Sequence, residues 1–257
     1  MPFSELPSLI SQALAERGYA EPTPVQAAVL EAEARGRDLI VSAQTGSGKT
    51  VAFGMAIARE LPFAELAPAA APLALVIAPT RELALQVSRE LEWLYAKTGA
   101  RITTCVGGMD PSRERRALDL SALAFVVLDE ADEMLDMGFR EDLEELLDAT
   151  PEQRRTLLFS ATMPKPIVAL ARRYQTDALR ISTLDDNRGH GDITYQTVAV
   201  SPADIENAVV NLLRFHEADT AMLFCATRDN VRHLHSTLVE RGFAAVALSG
   251  EHSQNER

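Results

Sequence analysis

Ala43-Gln44-Thr45-Gly46-Ser47-Gly48-Lys49-Thr50 is the stretch on which the fold turns. It follows an apolar run at 38–42 and opens a segment of helical period at 50–61, so it joins a buried strand to a helix. Gly46 and Gly48 let successive backbone N–H groups turn inward around a phosphate, and the helix N-terminus adds its dipole. Lys49 can reach β- and γ-phosphates, and Thr50 can offer its hydroxyl to Mg²⁺. Ala43 stands where the strict Walker A pattern has its first glycine.

Outward from this loop, apolar runs at 73–78, 101–106, 125–128, 156–159 and 179–182 read as further buried strands. Between them lie segments of helical period at 6–17, 82–97, 139–149 and 166–174. Strands alternating with helices predict a doubly wound, parallel α/β sheet. Continuous apolar runs such as Leu73-Ala74-Leu75-Val76-Ile77-Ala78 fit strands covered on both faces. The polar, glycine-containing stretch at 182–192 reads as a linker, which makes 1–181 the first domain. After it the alternation restarts at 193–257, with strands expected at 193–200, 220–225 and 243–248 and helices at 202–217 and 228–241. That remainder is too short for a second α/β domain of ordinary size.

Composition bounds the function. The 257 residues are 47% hydrophobic and 24% charged, values of an ordinary globular chain. No apolar run reaches the roughly 18 residues of a membrane span, and the first residues lack the pattern of a signal peptide. Two cysteines far apart give no disulfide framework, so a reducing, cytoplasmic setting is expected. With 25 Lys+Arg against 37 Asp+Glu the net charge is −12, which argues against nucleic-acid binding through a global basic field and leaves room for a local groove.

A nucleotide site also needs an acid at the end of a buried strand, and 125–128 runs directly into Asp129-Glu130. Asp129 can hold hydrated Mg²⁺ and Glu130 can orient an attacking water. The acidic stretch at 141–148 reads as a solvated helix face. Asp129-Glu130-Ala131-Asp132 also resembles the name motif of the DEAD-box RNA helicases. Other family elements stand beside it. Gly18-Tyr19-Ala20-Glu21-Pro22-Thr23-Pro24-Val25-Gln26 resembles the Q motif, with Phe3 as its upstream aromatic. The resemblance implies that Gln26 reads the adenine edge, Phe3 stacks on the ring and Tyr19 belongs to the same ATP pocket. Pro79-Thr80-Arg81 resembles motif Ia, and Gly107-Gly108 the family's glycine pair. Ser160-Ala161-Thr162 resembles motif III, which couples hydrolysis to strand separation. Thr227-Arg228 closes a motif IV-like run, and Gln254-Asn255-Glu256-Arg257 resembles the Gln-x-x-Arg element. Of these, Pro79, Thr80, Arg81, Gly107, Gly108, Thr227, Arg228, Gln254 and Arg257 are implied to line an RNA path. Their contacts would go to phosphates and 2′-hydroxyls and carry no sequence information.

The resemblance runs essentially from Phe3 to Arg257 and implies an RecA-like fold with part of a second RecA-like domain. It further implies ATP and Mg²⁺ as cofactors, RNA-stimulated ATP hydrolysis and local duplex unwinding, with RNA as the partner of a monomer. Two departures bear on activity. Roughly twenty residues carrying motif Ib are expected to be missing near 117–120, and the chain stops before motifs V and VI, which would supply the arginine finger. Such a finger is worth about 10³–10⁵ in rate, so weak turnover with retained nucleotide binding is expected. The alternative is a nucleotide-binding module that does not unwind. Arginine in preference to lysine, 22 to 3, suggests a bacterial source.

Overall fold

In β3 (Phe125–Leu128) every side chain is buried, and parity decides which core each one enters. Phe125 and Val127 pack on one face of a sheet; Val126 and Leu128 pack on the other. The same split recurs in β4 (Arg155–Ser160), with Leu157 and Phe159 on the first face and Leu158 on the second. A strand apolar at every position thus needs helices on both sides.

The computed structural model describes residues 3–61, 71–106, 119–184 and 193–249. The chain divides into two units, Met1–Asp186 and Asn187–Arg257. In the first, β1 (Leu39–Ser42), β2 (Ala74–Ile77), β3, β4 and β5 (Leu179–Ser182) form one all-parallel sheet in the order β2-β3-β4-β1-β5. Helices α1 (Ser8–Glu16), α2 (Pro24–Leu30), α3 (Lys49–Ala58) and α4 (Arg81–Tyr95) cover the first face. They contribute Ile10, Leu14, Val25, Val29, Phe53, Ile57, Leu91 and Leu94 to its core. Helices α5 (Ala131–Asp136), α6 (Arg140–Asp148) and α7 (Lys165–Tyr174) cover the second through Met134, Leu143, Leu147, Ile167 and Leu170. The doubly wound α/β class expected from the sequence is what the chain adopts. On α6 the acidic side chains do face outward, where Glu144 pairs with Arg140 and Arg173.

Four expected strands are absent from the ladders. The run 101–106 joins no ladder among the described residues, and β2 remains the sheet edge there. Its alternation is real: Arg101, Thr103 and Cys105 are exposed, while Ile102 packs on the first core. A half-buried extended segment has the same period as a strand, and only a neighbour turns it into one. In the second unit, 193–200, 220–225 and 243–248 also form no ladder among the described residues. The helices there do form: α8 (Ile205–His216) and α9 (Arg228–Glu240). They bury Val210 and Leu238 and are joined by bonds from Thr237 Oγ1 to Glu206 and from Arg241 to Asn207. A helix satisfies its backbone within itself, whereas a strand needs partners from elsewhere in the chain. Phe224 and Val246, 91% and 89% exposed, lie on runs that lack such cover.

Candidate nucleotide site

The carboxyl ends of β1, β4 and β5 are level, and β3 and β2 end two residues earlier in register. Ser42 of β1 stands opposite Ser160 of β4, and Leu128 of β3 is opposite Ile77 of β2 and Leu158 of β4. From β1 the chain crosses to the far edge of the sheet, then fills back through β3 and β4, and ends beyond β1 with β5. Ligands of open α/β sheets lie outside the carboxyl ends at such a reversal. The loop Ala43–Gly48 leaves β1 at this place, and the Ala43 N–H donates to Ser160 O at 3.2 Å. Ala43 is buried, Gln44 and Ser47 are half-buried, and Thr45 and Gly46 are exposed. Gly46 and Gly48 have φ of +82° and +88°, and Gly48 caps α3 in the left-handed conformation that glycine alone adopts at no steric cost.

Lys49, the first residue of α3, reaches across to the end of β3. Its Nζ donates to Glu130 Oε1 at 2.7 Å, between side chains only 5% and 15% exposed. Thr45 Oγ1 is 3.5 Å from the same oxygen. Glu130 is held at φ +52°, a left-handed conformation that costs a non-glycine residue energy, where β3 turns sharply into α5. Its neighbour Asp129 is buried, and its Oδ1 has no hydrogen-bond partner. Burial pushes the Asp129 carboxyl up to about 6, the nearby Glu130 charge adds to this, and Lys49 opposes it. A buried carboxylate oxygen without a partner just after β3 and the half-buried Thr50 hydroxyl at the start of α3 are oxygen donors of the kind a hydrated Mg²⁺ on a polyphosphate would use. The described residues hold no cluster of three His, Cys, Asp or Glu side chains, so further ligands would come from the nucleotide and water.

Ser160 and Thr162, at the end of β4, meet the last residue of Asp129-Glu130-Ala131-Asp132. Asp132 Oδ2 accepts from the Thr162 N–H at 2.9 Å and from Thr162 Oγ1 at 2.7 Å, and the Asp132 N–H donates to Ser160 Oγ at 3.3 Å. Burial pulls the Asp132 carboxyl up, and the bonds from Thr162 and Ser160 outweigh it, holding it below the usual carboxylate range. Sequence reasoning missed Asp132 as a site residue. Its position in the four-residue motif was a signal, but the partner thirty residues later was not readable from the spacing.

Thr23-Pro24-Val25-Gln26 is also the start of α2, and nothing in the helical periodicity at 6–17 announced it. A Thr N-cap, Pro at N1 and Gln at N3 is the capping-box pattern, and Gln26 Oε1 accepts from the Thr23 N–H at 3.0 Å. Both side chains then touch the phosphate loop. Thr23 Oγ1 donates to Ser47 O at 2.8 Å, and Gln26 Nε2 to Gly48 O at 3.4 Å. Gln26 is fully buried, so both ends of the amide that was expected to read adenine are engaged by the protein. Phe3 packs in the first core, 7% exposed, and Tyr19 stacks on Trp93 with centroids 5.8 Å apart. The fold therefore brings Gln26, Thr45, Lys49, Asp129, Glu130, Ser160 and Thr162 to one end of the sheet, while Phe3 and Tyr19 face α1 and α4.

Of the expected RNA-path residues, Pro79 is buried and Thr80 caps α4, its Oγ1 accepting from the Leu83 N–H at 3.2 Å. Thr227 caps α9 in the same way, accepting from Asn230 N–H at 3.1 Å. The two caps share backbone angles to within a few degrees, φ −132° and ψ 157° against φ −134° and ψ 158°, and each is followed by an exposed arginine, Arg81 and Arg228. Gly107, Gly108, Gln254 and Arg257 lie outside the described residues, as does most of the expected linker and the stretch at 117–118.

Comparison with known proteins bears on this arrangement. The model of the DEAD/DEAH box helicase family matches residues 23–122 and 111–170. The chain is 35% identical over 277 residues to the ATP-dependent RNA helicase DeaD of Haemophilus influenzae, covering 98% of this chain and 44% of that protein. It is 35% identical over 271 residues to the DEAD-box ATP-dependent RNA helicase CshA of Geobacillus kaustophilus, covering 96% of this chain and 57% of that one. The crystal structure of a DEAD box protein from the hyperthermophile Methanococcus jannaschii superposes with a TM-score of 0.63 at 30% identity, over 98% of this chain and 73% of the other. The chain spans about half the length of the curated relatives it matches. An alignment of 277 residues against a chain of 257 leaves at least 20 positions of the relative without a counterpart here.

Proposed function

This chain belongs to the DEAD/DEAH box helicase family, and on that premise we propose that it is an ATP-dependent RNA helicase module, coupling nucleotide binding and hydrolysis to RNA clamping and local duplex unwinding. The observation that carries the reading is the buried pair Lys49–Glu130 next to Asp129, whose buried Oδ1 has no hydrogen-bond partner, at the carboxyl ends of β1 and β3. Lys49, the loop 43–48 and Thr50 would bind the phosphates of ATP, with Gln26 and Thr23 bracing the loop from behind. Thr50 and Asp129 are the residues that would hold Mg²⁺, which supplies neutralisation of charge on the transferred phosphoryl group. Once Lys49 turns to the phosphates, Glu130 is released to orient the attacking water. Ser160 and Thr162, tied to Asp132, register the change at the end of β4.

RNA would be gripped through its backbone by Thr80, Arg81 and Arg228, with Pro79, Gly107, Gly108, Thr227, Gln254 and Arg257 completing the path. Such contacts favour RNA by its 2′-hydroxyls and ignore base identity. We assign the protein to the cytoplasm as a monomer. Neither described cysteine is in a disulfide, and no described helix is long and apolar enough to cross a membrane. The test is ATP hydrolysis with and without single-stranded RNA, together with ATP-dependent separation of a short RNA duplex; absence of nucleotide binding would overturn the reading. The positions that relatives carry and this chain lacks favour one second reading, a nucleotide-binding module that does not unwind. Normal nucleotide affinity with no duplex separation would select it.

A further inference from the structure

The outer side of β2 carries open backbone groups and little that guards them. Leu73 O accepts from the N–H groups of Ala124 and Phe125 at 2.9 and 3.1 Å, and Ile77 O accepts from the Asp129 N–H at 2.9 Å. Leu73 and Ile77 therefore turn their peptide groups toward β3, and so does Leu75 between them. Successive residues of a strand point these groups to opposite sides, which leaves the N–H and C=O of Ala74 and Val76 facing away from β3. No strand among the described residues lies on that side. The segment at 101–106, which follows α4 and has the period of a strand, joins no ladder there, and the family match divides at 111–122, between α4 and β3. Sheet edges are ordinarily guarded by a charge, a proline or a bulge. From Ala71 to Pro79 no residue is charged, and the two prolines stand outside β2, at 72 and 79. The side chains of β2 all go to the cores, Ala74 and Val76 to the first and Leu75 and Ile77 to the second, so none folds over the edge.

We propose that this edge is an interface between two copies of the chain, joined β2 to β2 in antiparallel pairing about a two-fold axis. A two-fold contact sets the same surface against itself, and β2 matches itself in length, in carrying no charge and in the placing of its prolines. With Leu75 of one copy opposite Leu75 of the other, Ala74 of each faces Val76 of the other. Those are the residues whose backbone groups point outward, so both exchange their bonds as hydrogen-bonded pairs. The Ala78 N–H then meets the Pro72 carbonyl of the other copy, and the ladder stops because Pro72 has no N–H to return. Each copy carries a net charge of −12, and pairing along an uncharged stretch brings none of it into the ladder. One short strand per copy is a small contact, at the weak end of protein interfaces. The dilute form is therefore the monomer assigned above, and pairing belongs to the concentrated chain. Antiparallel pairing points the carboxyl ends of the two sheets in opposite directions, so the loop at 43–50 stays open in both copies. The proposal goes beyond the ATP and RNA reading and does not rest on it.

The experiment uses the whole chain, as wild type and Val76→Pro. Sedimentation from about 1 to about 100 µM spans the range in which small interfaces associate. Across it the wild-type mass should rise toward twice that of one chain. Val76→Pro deletes an outward N–H and leaves the β2–β3 bonds in place, since proline is tolerated where a strand N–H faces away from its neighbour. The variant should keep the wild-type circular dichroism and stay single at every concentration. In the wild type, hydrogen exchange at the Ala74 and Val76 amides should slow by about tenfold or more as the chain is concentrated, because pairing protects both. A wild type that stays single throughout overturns the proposal. So does association that persists in folded Val76→Pro, which would run instead through exposed apolar residues of the second unit such as Phe224. Slow exchange of both amides in the dilute, single chain also overturns it, because another segment of the same chain then covers the edge. Should Val76→Pro fail to fold, exchange at these two amides that does not change with concentration in the wild type overturns it instead.

Discussion

Two side chains carry most of the chemistry at the residue scale. Lys49 is nearly buried and its charge is balanced by Glu130 at 2.7 Å. Lys49→Ala removes the phosphate ligand and leaves Glu130 held in a strained turn without its cation. Nucleotide affinity should fall by at least about a hundredfold, since charge-assisted bonds to an ion are worth about 1.5–3 kcal/mol each; calorimetric titration with ADP checks it. Asp129 gives a prediction in pH. Its carboxyl is raised from 3.8 to about 6, so the folded chain holds the proton more tightly than the unfolded one. Stability is then greatest with Asp129 protonated, falls as pH rises from 3.8 through about 6, and stays lower above it. The shift corresponds to about 3 kcal/mol at neutral pH. Asp129→Asn should therefore melt above the wild type at pH 7.5 in chelator, with the gap closing toward pH 4, and should lose Mg²⁺-dependent hydrolysis. Thermal melts across that range decide it; equal melting temperatures at pH 7.5 would count against burial as the cause of the raised carboxyl.

At the scale of elements, the opposite end of the sheet is tied by polar bonds. Arg155, at the start of β4, donates to the carbonyls of Arg37 and Ala34 and pairs with Glu60, which also accepts from the Gly36 N–H. Asp38 bonds the N–H groups of Thr156 and Thr176, joining the starts of β1, β4 and β5. Breaking a buried pair by deleting one partner costs about 3–5 kcal/mol. Arg155→Ala should lower urea-unfolding stability by that order while nucleotide affinity of the folded fraction is unchanged, because the site lies at the other end of the strands. The run 156–159 was legible as a strand from its apolar content. That Arg155 begins it, and that an arginine could be buried there, was not, because the partners come from residues 34, 37 and 60.

For the whole molecule, the two units differ in what they bury. Among the described residues, the first has two filled cores on a five-stranded sheet; the second has two α-helices packed together and exposed apolar residues such as Phe215, Met222 and Phe224. Residues 1–186 alone should unfold cooperatively in urea and keep nucleotide affinity within about threefold, whereas 187–257 alone should show helical signal without a cooperative transition. Circular dichroism melts of the two fragments test this. The sequence by itself determined the loop at 43–50, the acids at 129–130, the sheet's central strands and the class of the fold, because glycine conformation, helix period and continuous apolar runs are local properties. Tertiary structure alone decided that 101–106 and the three runs after residue 192 form no ladder among the described residues, that Gln26 and Thr23 brace the phosphate loop, that Asp132 meets Thr162, and that Tyr95 of α4 bonds the Gly54 carbonyl of α3. Each of these depends on a partner distant in sequence, and strand pairing, buried hydrogen bonds and close helix contacts exist only once that partner has arrived.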